Sequence, residues 1–162
     1  MKDIVKKSLM DANRKVTKKR DSINLPLNYS QALRMIFDLK IQIDALKKNN
    51  KAFIDINIDN IKLTGENTFI IDDFPQLYAI KNDKILISKP YSKSKYIAPE
   101  LNNIDKRPIK INESASYFCI SKLILDILNI DNNIKRIYPT KLFYLLERIL
   151  VENPEKRRFL YI

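Results

Sequence analysis

Asp55, Asn60 and Asp73 stand inside the apolar runs "FIDINIDNIKL" and "TFIIDDF". Two carboxylates and a carboxamide are hard oxygen donors of the kind that bind Mg²⁺, an ion that also draws on substrate phosphates to fill its shell. The same side chains have a structural use: each can hydrogen-bond loop backbone that would otherwise stay unsatisfied. The structural use is the expectation, with Asp72 facing solvent beside Asp73. Other chemistries are narrower. The chain has no histidine, which removes the usual metal sites and the Ser-His and Cys-His catalytic pairs. Its one cysteine, Cys119 in "SYFCISKLIL", reads as a core thiol with no base to activate it. A single cysteine forms no internal disulfide and fits a reducing compartment.

The elements that must position these groups follow from periodicity. "NLPLNYS" reads as a linker ending in Ser30, a plausible N-cap. Leu33, Ile36, Leu39, Ile43 and Leu46 then recur every three or four residues, which predicts a helix over about 31–48. Two short β-branched runs, "IKL" and "TFII", are joined by a turn at Gly65-Glu66-Asn67. Residues 75–112 read mostly as loop, with a possible hairpin turning on Asn82-Asp83. From Glu113 to Asn129 the chain is apolar nearly all round, the mark of a central buried helix. A last helix covers about 140–152, with Leu142, Leu146, Ile149 and Leu150 inward. The expected class is α+β, mainly α, in one domain of 162 residues with 45% hydrophobic content.

Charge is uneven. Residues 1–20 hold eight Lys/Arg against two Asp, a net +6 of the chain's +11. Val5, Leu9, Ala12 and Val16 give this arm an apolar stripe at helical spacing. Lys2, Lys6, Lys7, Arg14, Lys15, Lys18, Lys19 and Arg20 could meet nucleic acid or another acidic surface. Equally, the stripe could dock the arm on its own domain. Ile, Lys and Asn dominate and Gly occurs once, a bias that suggests an AT-rich genome such as that of a large DNA virus or an intracellular parasite. Nothing resembles a signal peptide, and Lys122 interrupts the longest apolar stretch, so no membrane span is expected and the location expected is intracellular or within a virion.

In order, helix, polar loop, short β-pair, "DDF", "APE", buried helix and "ENPEKRR" resemble the C-terminal lobe of a eukaryotic-type protein kinase over about residues 30–158. The resemblance divides the chain into a basic arm and linker (1–29) and a kinase-like lobe (30–162). It places Phe53, Ile54, Asp55 and Asn60 on the catalytic loop H-R-D-L-x-x-x-N. Asp73-Phe74-Pro75, 18 residues beyond Asp55, falls on D-F-G, and Ala98-Pro99-Glu100 on A-P-E. The family roles thus implied are base for Asp55 and metal ligand for Asn60 and Asp73. Glu100 and Arg157 become an expected buried ion pair. Ser116, Phe118 and Ser121 stand where the family keeps Asp, Trp and Gly.

Phosphoryl transfer is mostly positioning and electrostatics, and the departures remove much of both. About 29 residues precede the first long helix, with no glycine among them, so the glycine-rich lobe is expected to be absent. Phe53 and Ile54 replace the loop's His and Arg, Asn57 its Lys, and Pro75 the D-F-G glycine, fixing φ and deleting an N–H. Ser116 in place of Asp is expected to break the link between the buried helix and the catalytic loop. The implied reading is an inactive, pseudokinase-like remnant without cofactor or metal, with Asp55, Asn60 and Asp73 vestigial. Its implied role is that of a structural or binding subunit of a larger assembly, such as a virion or ribonucleoprotein particle. A protein partner would cover the surface that faces the missing lobe. The alternatives are one half of a split kinase, with the other lobe supplied in trans, and a nucleic-acid binder acting through residues 2–20.

Overall fold

The computed structural model describes residues 21–161, and the basic arm with its eight cations lies outside them. Among the described residues are three α-helices, a four-stranded antiparallel sheet and a two-stranded one, an α+β arrangement.

Helix α1 (Tyr29–Lys48) is capped by Asn28 rather than Ser30, which is already inside the helix. The Asn28 side chain accepts the Gln31 N–H at 2.9 Å, and the Gln31 side chain accepts the Asn28 N–H at 3.0 Å. This reciprocal pair satisfies two N–H groups that a serine two residues further in cannot reach. The buried stripe is Ala32, Met35, Ile36, Leu39, Ile43 and Leu46.

Strands β1 (Lys51–Ala52), β2 (Ile61–Leu63) and β3 (Phe69–Ile71) follow. β2 and β3 pair antiparallel, Ile61 opposite Ile71, and Asp21 adds a bridge to Leu63 through N–H···O bonds of 3.0 and 3.1 Å. The other edge of β3 is met by side chains of α1. The Phe69 N–H donates to Asp38 at 2.9 Å, and Gln42 donates to the Phe69 carbonyl at 2.9 Å and accepts the Ile71 N–H at 2.8 Å. The helix thus supplies the ladder that a neighbouring strand would otherwise give. Burial pushes the Asp38 carboxyl above its usual range, against the pull of the Phe69 N–H and Arg34.

β4 (Tyr78–Lys81) and β5 (Lys84–Ile87) form a two-residue hairpin, and β6 (Ile109–Asn112) completes the order β1-β4-β5-β6. β1 and β6 are absent from the sequence reading because neither is joined by a short turn to the strand it pairs with: β1 pairs with β4 and β6 with β5 across long stretches of chain. Asn82 and Asp83 at the hairpin tip have φ of 52° and 57°. In a chain with one glycine, every positive φ among the described residues falls on Asn or Asp, whose short polar side chains tolerate that region.

Helix α2 (Ala115–Ile127) lies between two cores. Cys119, Ile120, Leu123 and Ile124 pack with α1, β2, β3 and helix α3 (Lys141–Ile149). Ala115 and Phe118 pack with the four-stranded sheet, Ile97 and Leu101. Among the described residues no helix is long and apolar enough to cross a membrane.

Candidate functional site

The loop after β1 threads between the two cores, and this fixes its residues. Phe53 and Ile56 enter the helical core, Ile54 enters the sheet core, and all three are fully buried. Side chains at 53 and 54 therefore fill space on opposite sides of one strand-like segment, which leaves Asp55 half-buried at the rim. The Ser94 hydroxyl donates to Asp55 Oδ1 at 2.5 Å and also accepts the Tyr96 N–H at 3.1 Å. Tyr96 and Lys95 in turn donate to Asp126 at 2.6 and 2.8 Å, tying the 94–96 segment to the far end of α2. These two bonds hold the Asp126 carboxyl below its usual range. Neither Ser94 nor its anchor stands out in the sequence, where "SKSKY" reads as a solvated loop.

Asn60 closes the same loop by a different bond. Its side-chain oxygen accepts the Asn57 N–H at 2.8 Å, while its carbonyl accepts the Asp72 and Asp73 N–H groups at 2.9 and 3.4 Å. The carboxamide oxygen that would meet a cation is thus engaged with backbone. Asp73 is exposed and Asp72 half-buried and engaged, the reverse of the sequence expectation. The reason lies in the strand: β3 ends at Ile71 with its backbone tied to Gln42, so Asp72 stays against the turn and Asp73 points outward.

Asp55, Asn57, Asn60, Tyr78 and Tyr91 line a cleft of about 150 Å³, which Asp73 and Asp72 do not reach. The cleft is open to solvent and smaller than pockets that enclose drug-sized ligands, which run to about 300–1,000 Å³. The Tyr91 hydroxyl donates to the Leu101 carbonyl at 2.5 Å. The Tyr78 hydroxyl is enclosed with no hydrogen-bond partner in the protein, and burial pushes its pKa up. Of the three oxygen-bearing residues, Asn60 already accepts a backbone N–H and Asp73 is exposed, and no group of three His, Cys, Asp or Glu among the described residues could hold a metal ion. Cys119 is fully buried, donates to the Ser116 carbonyl at 3.1 Å, and has its pKa raised by burial and by the charge of Asp55, the opposite of an activated thiol.

Glu100 and Arg157 have the opposite geometry. The two groups meet in a fork, Nη1 to Oε1 and Nη2 to Oε2, both at 2.7 Å. Arg157 also donates to the Val151 and Glu152 carbonyls at 2.8 and 2.9 Å and stacks 4.6 Å from the Phe118 ring centre. Its side chain is 1% exposed and that of Glu100 17%. Ser116 also departs from expectation. Its hydroxyl donates to the Phe53 carbonyl at 2.6 Å, so α2 remains tied to the Asp55 loop by one short bond where the sequence suggests none. Ser121, by contrast, is buried with its hydroxyl unpartnered.

A larger hollow of about 390 Å³ lies between the β4–β5 tip, the start of α2 and the C-terminal segment. Three ion pairs cross it, Lys84 with Glu155 at 2.8 Å, Glu113 with Lys47 at 2.5 Å and Arg157 with Glu100, and Asp83 and Arg158 also line it. No family model matches the chain, and no curated protein matches it.

Proposed function

We propose that the chain is a protein-kinase-like C-terminal lobe that keeps its architecture without phosphoryl transfer, and that it serves as a binding or structural subunit of a larger assembly. The observation that carries this reading is the contrast at the matched positions. Glu100 and Arg157 form a complete bidentate pair, whereas Asp73 lies outside the cleft that holds Asp55 and Asn60. Phosphoryl transfer needs its metal ligands to converge on one point, and Asp73 is exposed and does not line the cleft shared by Asp55 and Asn60. Asn57 at the rim and Phe53 and Ile54 in the cores supply no charge to steady a phosphate.

Titration with Mg²⁺-ATP, followed by calorimetry and thermal shift, is expected to give no metal-dependent binding. Tight binding that disappears in Asp73→Ala would overturn the inactive reading. One observation favours a split kinase: Ser94 orients the Asp55 carboxylate at an open rim, as a base needs. That reading requires such binding to emerge once a second lobe is added. The subunit role predicts that purification from the native source retains a partner protein. A monodisperse monomer that binds no hydrophobic dye would count against it.

A further inference from the structure

Of the net charge of +11, residues 134–162 carry +4, from seven Lys/Arg against three Glu, and residues 21–133 only +1. The same stretch holds four of the six large apolar side chains exposed among the described residues: Tyr138 at 62%, Tyr144 at 40%, Leu160 at 51% and Tyr161 at 39%. Charge and exposed rings coincide on one face. Lys141, Tyr144 and Arg148 fall at i, i+3 and i+7 along the outside of α3. The Tyr138 and Tyr144 ring centres are 6.3 Å apart. Lys141 lies 5.3 Å from the Tyr161 ring centre, and Arg148 donates to the Leu160 carbonyl at 3.2 Å. The C-terminal segment is thereby held alongside α3. Glu147 is the one carboxylate between Asp131 and Glu152.

We propose that this face, formed by α3, the turn before it and the C-terminal segment, binds single-stranded nucleic acid, its tyrosines stacking on bases and its cations meeting phosphates. Charge complementarity calls for a polyanion, because Lys135, Lys141 and Arg148 outnumber the nearby acid. Exposed rings among those cations call for a ligand with accessible π-faces, which unpaired bases offer and a duplex keeps stacked inside. The inference is independent of the kinase-like reading and of the basic arm, since it uses only residues 134–161.

The test uses the full chain, with the arm retained in every variant, and a labelled 20-nucleotide oligothymidine followed by fluorescence anisotropy across a salt series. Tyr138→Ala/Tyr144→Ala is expected to weaken binding about tenfold or more without changing the salt slope. Lys141→Gln is expected to make that slope shallower by about 0.7, the contribution of one phosphate contact on a single strand. Should the double variant fold poorly by thermal melt, Tyr138→Ala alone decides, with about a threefold loss expected at this most exposed ring. Wild-type affinity in the tyrosine variants overturns the proposal. So does equal weakening towards polyglutamate, which marks a charge-only surface, and so does preference for a duplex of the same length. Binding of an acidic peptide at the face, with no binding of the oligonucleotide, would place a protein there and also overturn it.

Discussion

The joint at Glu100–Arg157 and the loop at Asp55–Asn60–Asp73 use the same kinds of side chain to different ends. At the joint, Arg157 places four of its five N–H donors and one stacking face against fixed partners, so a charge 1% exposed has most of its solvation replaced. At the loop, each polar group is satisfied separately: Asp55 by Ser94, Asn60 by the Asn57 N–H, Asp73 by solvent. Convergence of charge without a bound partner is costly in a folded chain, because like groups repel and lose water. A sequence that keeps a scaffold is held to the first geometry. On the proposed reading, a loop that binds no cation is free to let the second relax.

The largest effect should therefore follow a break at the joint. Glu100→Ala leaves the Arg157 guanidinium buried without its counter-charge and is expected to cost about 3–5 kcal/mol in urea unfolding. Arg157→Ala is expected to cost a similar amount, since it strands Glu100 and two carbonyls. The double variant should cost less than the two added together, because the pair acts as a unit. Additive losses would mean that the fork contributes packing alone.

Next in size is Ser116→Ala, which leaves the Phe53 carbonyl without a donor between two cores and is expected to cost about 1–3 kcal/mol. This bond shows where sequence reasoning reaches its limit. The long helices were legible because burial repeats at 3.6 residues, and the β4–β5 turn because Asn-Asp tolerates positive φ. The Glu100–Arg157 pair and the Asp55 loop could be named from the order and spacing of short motifs. Other features depend on where separate segments meet in space. The helix side chains that edge β3, Gln42 and Asp38, lie 27 to 31 residues from their partners and sit on a helix face that reads as merely amphipathic. Ser94 reaches Asp55 across 39 residues with no pattern to announce it. The inversion of Asp72 and Asp73 turns on the last bond of β3, which alternation alone does not locate.

Tyr117, one residue beyond Ser116, faces the other way, and its pH response separates the two sides of α2. Burial, then its 2.6 Å bond to Asp44, push the Tyr117 pKa far above the usual tyrosine range. The folded state therefore holds a proton that the unfolded chain releases above about pH 10. Stability from this source is whole below that pH and falls as pH rises through it. Tyr117→Phe should flatten the alkaline limb of a stability–pH curve. A residual slope is expected from Tyr78 and Tyr91, which burial also shifts upward. At the acid end, burial raises Asp44 but the Lys40 and Tyr117 bonds outweigh it and bring the pKa below 3.8. That contribution is present above about pH 4 and lost as pH falls through the lowered value, and the variant should shrink it. An unchanged alkaline limb would show that the hydroxyl is not confined between α1 and α2.

The smallest effect is expected at Asp73, and its smallness is what gives the comparison its edge. Asp73 is exposed, and Asn60 holds its backbone, not its carboxylate. Asp73→Ala should change stability by no more than about 0.5 kcal/mol, the range of surface substitutions away from special features. Asp55→Ala should cost more, about 1 kcal/mol, because Ser94 loses its acceptor at a half-buried position. In a metal site the ranking would differ: removing any one of a converging set of carboxylates relieves repulsion, so Asp73→Ala and Asp55→Ala would each stabilise the ion-free protein. Parallel urea titrations of the two variants in EDTA distinguish these cases. A gain in stability for both would reunite Asp73 with the cleft and remove the difference between joint and loop.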